Sequence, residues 1–510
     1  MTRTTEAGGA ARLLAGAAAI LAGAALLLGV LPTATAHADT AVTKTYIVVF
    51  SATQPQEGQF QLAGDLAANR TAALALLRDA GGTITADLTK EIGVAIAESA
   101  SATFASTVGA SSLVDVVGED FSWQGLPSRA EMLAHGTVVS PSATAALGGP
   151  EASADPLESL QWDMQAIRTE LAHGVQAGAN NVEVAVVDSG IDPTHVEFHD
   201  ATGNLTNVDC FKAKDFVVLV GPGVGSPVPC QDNHFHGTHV AGTIAAQANG
   251  VGIVGVAPNV TVIPVKVCDA PEGYCYASSA IAGIAYAGSI QAEVMNMSFF
   301  TDDDALRTST ELKCDSDPKQ RAFKEGVNRA IAYARGQGVT PVAAAGNSST
   351  DLGKSKTCDS VPTESPGVMS VAALGRDLQL SSYSSYGKGS MMVSAPGGDW
   401  FDDLLDPCGQ QILSTIAGEA YVCIEGTSMA SPHAAGVAAL IVSQIGTVGG
   451  DGDVISDPDA VLDRLARTTR DTGKLGYDRC QGWGRIDAYR AVINQQSKDR
   501  RDASVPPCGL

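Results

Sequence analysis

Four short apolar runs dominate the middle of this chain: NVEVAVV (181–187), VTVIPVKV (260–267), EVMNMSF (293–299) and VTPVAAA (339–345). Each is nearly uniform in hydrophobicity rather than alternating, as expected of strands buried on both faces of a parallel sheet. Helical patterns lie between them, notably Ser278 to Ile290 and Pro318 to Gln337. Strands alternating with helices imply an α/β domain with helices on both faces of a mostly parallel sheet. Ligands in such domains sit at the carboxyl ends of the strands. At 510 residues with 45% hydrophobic composition, the chain can bury such a core and still carry further segments.

A different pattern precedes this domain. TYIVVF (45–50) reads as a strand and Leu62 to Asp79 as a helix ended by Gly81-Gly82. TITADL (83–88), EIGVAIAES (91–99), a short helix around Ser101 to Val108, and SLVDVVGED (112–120) follow. The order β-α-β-β-α-β is that of a small α+β, ferredoxin-like domain. From Gly125 to about Pro156 the composition turns to Ala, Ser, Gly and Pro, which reads as a linker.

The N-terminus reads as an export address. Arg3 and Arg12 precede an apolar run from Leu13 to Leu31, and Ala36-His37-Ala38 offers a small-x-small cleavage site. A membrane anchor is the alternative, although the cleavage site favours a signal peptide ending at Ala38. All ten cysteines fall between Cys210 and Cys508, and an even count in an exported chain reads as disulfides. Near neighbours are 210/230, 268/275, 314/358, 408/423 and 480/508, with connectivity not deducible from sequence. The formal charge of −23 argues against nucleic acid as a partner.

The strand ends carry the chemistry. Asp188 follows the first strand in VVDSGID, His236 opens the helical stretch HGTHVAGTIAA, Asn347 closes VTPVAAAGN, and Ser428 sits in GTSMASPHAAGVAALIV. A serine nucleophile needs a base, and the base needs an orienting acid. Asp188, His236 and Ser428 supply all three, in the chain order Asp, His, Ser. The cluster His234, His236 and His239 also has a spacing found in zinc hydrolases. Thr238, however, stands where those place an Asp, and the further His ligands they need are missing, since only His433 follows. An α/β-hydrolase fails on chain order and on the broken elbow Gly426-Thr427-Ser428-Met429-Ala430. GPGVGS (221–226) leads into PVP rather than a helix and reads as a loop.

DSGID, HGTHVAG, AAAGN and GTSMASPHAAG together resemble the subtilisin-like serine peptidases, the subtilase family, over roughly Leu157 to Asn494. The resemblance implies a three-layer sandwich around a mostly parallel sheet, and a serine endopeptidase. Its triad would be Asp188, His236 and Ser428, with the Asn347 side chain and the Ser428 N–H as oxyanion donors. His239 and His433 would then be packing residues, and His195 and His199 loop residues. The first unit resembles the inhibitory propeptide of such enzymes. The implied organisation is a signal peptide (1–38), an inhibitor and chaperone propeptide (39–125), and a linker containing or near the processing site (126–156). A catalytic domain (157–495) and a C-terminal tail (496–510) complete it. The implied protein is secreted and monomeric, self-processed from a proenzyme, with protein or peptide substrates and no membrane association after signal cleavage. A catalytically silent interaction protein on the same fold is the alternative.

Substrate contacts would come from Ser298, Phe299 and Gly346. Phe299-Phe300 stands where the family usually has Gly-Gly, so either the register or the pocket walls differ. Ala344, Ala345 and Gly346 would leave room for a large side chain before the cut. The chemistry needs no cofactor. A structural calcium ion would take Glu197 together with Gln247, Asn249, Val251 and Ile253, an oxygen-only set. A solvated loop is the alternative there.

Overall fold

The structure, a computed structural model, describes residues 42–53, 61–62, 66–139, 155–220, 228–269, 272–301, 316–354, 359–387, 393–399, 408–450, 452, 454–471 and 475–496. The signal peptide, the loop GPGVGS and the C-terminal tail lie outside them, as do Cys314, Cys358 and Cys508. Among the described residues no helix is long and apolar enough to cross a membrane.

The first unit folds in the expected order. It comprises β1 (Lys44–Phe50), α1 (Leu66–Asp79), β2 (Thr83–Leu88), β3 (Val94–Ser99), α2 (Phe104–Gly109) and β4 (Val114–Glu119). The four strands form one antiparallel sheet in the order β2-β3-β1-β4. One face carries Tyr46, Val48 and Phe50 against Leu77, Phe104 and Val108 of the two helices. The other face carries Ile47, Val49, Val94 and Ile96 into the core of the larger domain. Both faces of β1 are therefore buried, which is why TYIVVF lacks alternation.

The segment after β4 is not a plain linker. It forms β5 (Ser122–Gln124), α3 (Arg129–His135) and β6 (Thr137–Val139) before the described residues break off at Val139. Small-residue composition hid a capping box: Ser128 Oγ accepts from the Glu131 N–H, and Glu131 returns a carboxylate to the Ser128 N–H. Trp123, Leu126, Met132 and Val139 of this segment are all buried. Burying Leu126 or Met132 contributes about 1.5–3 kcal/mol each, an upper figure because the unfolded chain is not fully extended.

The larger domain is built on a seven-stranded, wholly parallel sheet. Its strands are β7 (Glu183–Asp188), β8 (Lys214–Asp215), β9 (Thr261–Lys266), β12 (Val294–Met297), β13 (Thr340–Ala344), β14 (Met369–Leu374) and β15 (Val393–Pro396). Their order is β8-β9-β7-β12-β13-β14-β15, with the order reversing at β7. Helices α4 (His236–Ala245) and α7 (Thr427–Ile445) cover one face. Helices α5 (Ala277–Ser289) and α6 (Pro318–Gly336) cover the other and meet the small domain there. These are the three layers that the alternation implied. Two short antiparallel sheets flank the cleft. In one, β10 (Cys268–Asp269) and β11 (Tyr274–Tyr276) accept β5 as a third strand; in the other, β16 (Ile412–Ile416) and β17 (Ala420–Ile424) accept β6. Disulfides join Cys210–Cys230, Cys268–Cys275 and Cys408–Cys423, three of the five neighbouring pairs.

Candidate active site

The candidate catalytic residues lie at or beyond the carboxyl ends of the central strands. Asp188 is the last residue of β7, His236 the first of α4, and Ser428 the second of α7. Asp188 and His236 are fully buried, with the imidazole Nδ1 at 2.9 and 3.0 Å from the two carboxylate oxygens. Such a pair holds the ring in one tautomer and leaves Nε2 facing the nucleophile side. His236 Nε2 has no hydrogen-bond partner among the described residues. Ser428 Oγ donates instead to the Ser298 carbonyl at 2.9 Å. His236 and Ser428 thus line one pocket without being joined.

Asp232 positions α4. Its carboxylate accepts from the N–H groups of His234, Phe235 and Thr238 and from the Thr238 and Ser189 hydroxyls. A carboxylate at the start of a helix satisfies its unpaired N–H groups and suits the dipole. The position of α7 is set by a different device. Pro432 inside the helix has no N–H for the carbonyl of Ser428, four residues earlier. Ser298 Oγ donates to that carbonyl at 2.9 Å and itself accepts from Asn296 Nδ2 at 2.9 Å. Ser431 Oγ closes the network on Asn296 Oδ1 at 2.7 Å. Ser298 is thus a brace between β12 and the nucleophile helix.

Asn347 turns its amide oxygen to the Thr427 N–H (3.0 Å) and hydroxyl (2.7 Å), so its nitrogen faces the cleft. Gly426 has φ +154°, and a Cβ there would stand 3.6 Å from both Asn347 Nδ2 and the Ser428 amide nitrogen. The two donors therefore flank one small open space beside the nucleophile, where an oxyanion would sit. Gly346 donates its N–H to Thr427 Oγ1 at 3.1 Å and belongs to the same turn. Phe299 is packed inward, its ring 6.2 Å from that of Trp123, whose indole N–H reaches the Phe300 carbonyl at 3.0 Å. The two bulky residues thus form the wall against which the chain's own Trp123 rests.

The other histidines separate cleanly. His239 is fully buried, its Nε2 3.2 Å from the carbonyls of Ile412 and Val422, and burial pushes its pKa down to about 3. His433 lies between Asp163 (2.9 Å) and the Met429 carbonyl (2.7 Å). His195 is a loop residue, and a buried one. Its Nδ1 accepts the Glu197 N–H and its Nε2 donates to the Ala420 carbonyl. His199 Nδ1 stands 3.0 Å from the His195 carbonyl. His234 is buried close to the Pro127 backbone, and burial lowers its pKa to about 4. No group of three or more His, Cys, Asp or Glu that could hold a metal occurs among the described residues, so the histidine cluster does not assemble a zinc centre there.

Of the residues expected at the calcium site, Gln247 and Ile253 reach Glu197 through their backbone N–H groups. Glu197 Oε1 accepts from the Ile253 N–H and the Tyr421 hydroxyl, each at 2.7 Å, while its buried Oε2 has no hydrogen-bond partner. Burial raises this carboxyl to about 8. Beside it Asp155 Oδ1 gathers the N–H groups of Asn249, Gly250 and Val251. An unpartnered buried carboxylate oxygen near a second carboxylate fits a hard divalent cation. The side chains of Gln247 and Asn249 are engaged elsewhere. Gln247 donates to Thr206 Oγ1, and Asn249 donates to the carbonyls of Val196 (3.1 Å) and His199 (2.9 Å).

Sequence reasoning missed part of the pocket. Its volume is about 420 Å³, and besides His236, Asn347, Gly426 and Ser428 it is lined by Tyr383, Ile424, Glu425 and Met429. Pro127, Glu131 and Met132 line it too, from the segment read as linker. The Ser128–Glu131 spacing was the available signal for that helix.

A parallel sheet with an Asp–His pair and a serine at its strand ends, and an amide and an N–H beside the serine, defines a serine endopeptidase of the subtilisin type. Residues 179–484 match the family model described as the subtilase family, and the chain belongs to that family. It is 35% identical over 336 residues to a thermophilic serine proteinase of Bacillus sp. (strain AK1), covering 66% of this chain and 67% of that one. It is 34% identical over 287 residues to subtilisin NAT of Bacillus subtilis subsp. natto, spanning 56% of this chain and 62% of that relative's length. The epidermin leader peptide processing serine protease of Staphylococcus aureus has the same fold. Its TM-score is 0.64 at 19% identity, over 90% of this chain and 100% of that one.

Proposed function

We propose that the chain is the precursor of a secreted serine endopeptidase that cleaves peptide bonds in proteins through Asp188, His236 and Ser428. The observation that supports it is the buried Asp188–His236 pair opening on a pocket that also holds Ser428 and Asn347. In the reaction Ser428 Oγ turns from the Ser298 carbonyl toward His236 and bonds to the substrate carbonyl carbon. His236 Nε2 takes the hydroxyl proton, and the negative charge on the former carbonyl oxygen is held by Asn347 Nδ2 and the Ser428 N–H. The C–N bond then breaks as His236 returns the proton to the leaving amine. Water, deprotonated by the same imidazole, releases the acyl group and restores Ser428. Asp188 holds the imidazole in one tautomer and stabilises the imidazolium.

On this reading the small domain is an inhibitor and folding partner, removed by self-processing. Glu197 and the carbonyls of Val251 and Ile253 would hold a structural calcium ion, which fastens the loop after α4 and takes no part in the chemistry. The deciding experiment is Ser428→Ala in the full chain, assayed on casein at neutral pH with the precursor followed on a gel. Loss of turnover together with an uncut precursor is expected. A precursor that still matures when expressed alone would refute self-processing, and retained turnover would refute the triad.

A further inference from the structure

The small domain alone does not account for what covers the catalytic pocket. Chain 122–139 crosses the cleft and is anchored on both of its banks. On the approach side β5 pairs antiparallel with β11, Trp123 opposite Cys275, and the Leu126 N–H donates to the Gly273 carbonyl at 3.1 Å. On the far side β6 pairs antiparallel with β17, with Thr137 opposite Cys423 and Val139 opposite Tyr421. Each pairing adds a strand to an edge, so main-chain hydrogen bonds hold it whatever the side chains.

Between the two anchors Gly125 to Ser128 are irregular and Arg129 to His135 are helical. Pro127 reaches the pocket, the capping box at Ser128 and Glu131 starts α3 at once, and Met132 drops from that helix into the core shared with α4 and α7. The Arg129 guanidinium lies 3.8 Å from the centroid of the Phe235 ring, next to the catalytic histidine. A scissile bond must be offered in extended form, in register with the edge strands and within reach of Ser428. A capped helix cannot offer one. The crossing therefore lines the pocket with a helix rather than with an extended segment in register for cleavage, while Ser428 Oγ stays on the Ser298 carbonyl.

We propose that Gly125 to Val139 is a second latch, separate from the small domain, that closes the cleft over Ser428. Release of the mature enzyme then requires a cut on the C-terminal side of Val139. This rests on the peptidase reading above and adds where maturation has to end. A cut at the end of the small domain would free that domain yet leave α3 and β6 seated, because their hold on β17 and on the core does not pass through it. The fit at β17 is close: a Cβ on Gly136 would lie 2.8 Å from Ile424 Cγ2 and 2.9 Å from Val422 Cγ2, and 2.5 Å from the Met132 carbonyl oxygen. Gly136→Val should therefore unseat β6 while leaving every catalytic residue in place.

The test uses the full-length precursor. Its activation is followed with a small chromogenic peptide, and the active species is identified by N-terminal sequencing and mass. The expected active enzyme begins after Val139, and Gly136→Val shortens the lag before activity by at least tenfold. Val139→Lys, which sets a charge against the apolar cluster at Tyr421 without touching the helix, should do the same if the valine variant does not fold. A fully active species that still carries Gly136 to Val139 would overturn the latch, and so would an unchanged lag in both variants. Absence of turnover in every species, including one trimmed past Val139, would count against the peptidase reading itself.

Discussion

Ser298 and Ser428 exchange hydrogen bonds: the Ser428 hydroxyl donates to the Ser298 carbonyl and the Ser298 hydroxyl donates to the Ser428 carbonyl, each at 2.9 Å. The second bond compensates for Pro432, which removes the N–H that would otherwise serve the Ser428 carbonyl. Ser298→Ala leaves that carbonyl buried without a donor, at a cost of about 1–3 kcal/mol. Thermal melts of the variant should show the loss. Adding Pro432→Ala restores an intrahelical donor, so the double variant should recover most of it. Equal melting temperatures for the single and double variants would show that Ser298 is no brace.

Asn347 is tied by its oxygen to Thr427 and presents only its nitrogen to the cleft. Its replacement by alanine should lower kcat about 10²–10³-fold, the range found for an oxyanion-hole asparagine in a subtilisin, with little change in KM. A loss confined to KM would assign Asn347 to substrate binding instead.

The buried histidines make the fold sensitive to acid. His239 has its pKa lowered from the ordinary 6.5 to about 3, because burial penalises the charged ring. The unfolded chain therefore binds this proton more readily than the folded one. The stability His239 contributes is complete above about pH 6.5 and falls as the pH drops toward 3, by about 1.4 kcal/mol per unit. His239→Gln keeps a donor for the Ile412 and Val422 carbonyls without a titrating ring. Its melting temperature should fall less steeply than that of the parent between pH 6.5 and 4. Parallel slopes would remove His239 as the cause.

For calcium the expected outcome is a melting temperature that drops when a chelator is added, since an ion bound only by the folded state stabilises by mass action. Glu197→Gln keeps an acceptor for Ile253 and Tyr421 but removes the charge that a cation would need. It should lose most of the chelator response. Identical melts with and without chelator in the parent would dispose of the ion.

Much of this was legible in the sequence, for reasons particular residues make plain. Asp188 ends a strand, His236 opens a helix, Ser428 is the second residue of another, and Asn347 follows three residues after β13, so the strong apolar patterns of those elements marked out their positions. The small domain was equally legible, because β1 to β4 carry enough β-branched and apolar residues to declare themselves. The cleft-crossing segment was not. Met132 and Val139 belong to the short pairs Met132-Leu133 and Val138-Val139 among small and polar residues, too brief for a period to show, and their burial depends on the core beneath α4 and on the edge of β17, far later in the chain. The state of Glu197 was likewise out of reach, since its unpartnered oxygen arises from Tyr421 and Ile253 closing over it.

The docking of the small domain leads to the last prediction. Asp120, just after β4, accepts the Ser278 N–H at 3.0 Å and so places a carboxylate at the N-terminus of α5. Ion pairs Arg321–Asp115 (2.6 Å) and Lys319–Glu119 (3.8 Å) lie nearby, but both are partly exposed and contribute little. The Arg329 guanidinium, buried, donates to the Phe50 carbonyl at 2.8 Å. The helix-capping carboxylate and the buried arginine therefore hold the domain more firmly than the surface pairs do. In the full chain carrying Ser428→Ala, which stays uncut, Asp120→Ala should increase hydrogen exchange in β1 to β4 by at least tenfold. Asp115→Ala should change it by less than threefold. If the two substitutions loosen the domain equally, the cap on α5 is not what secures it.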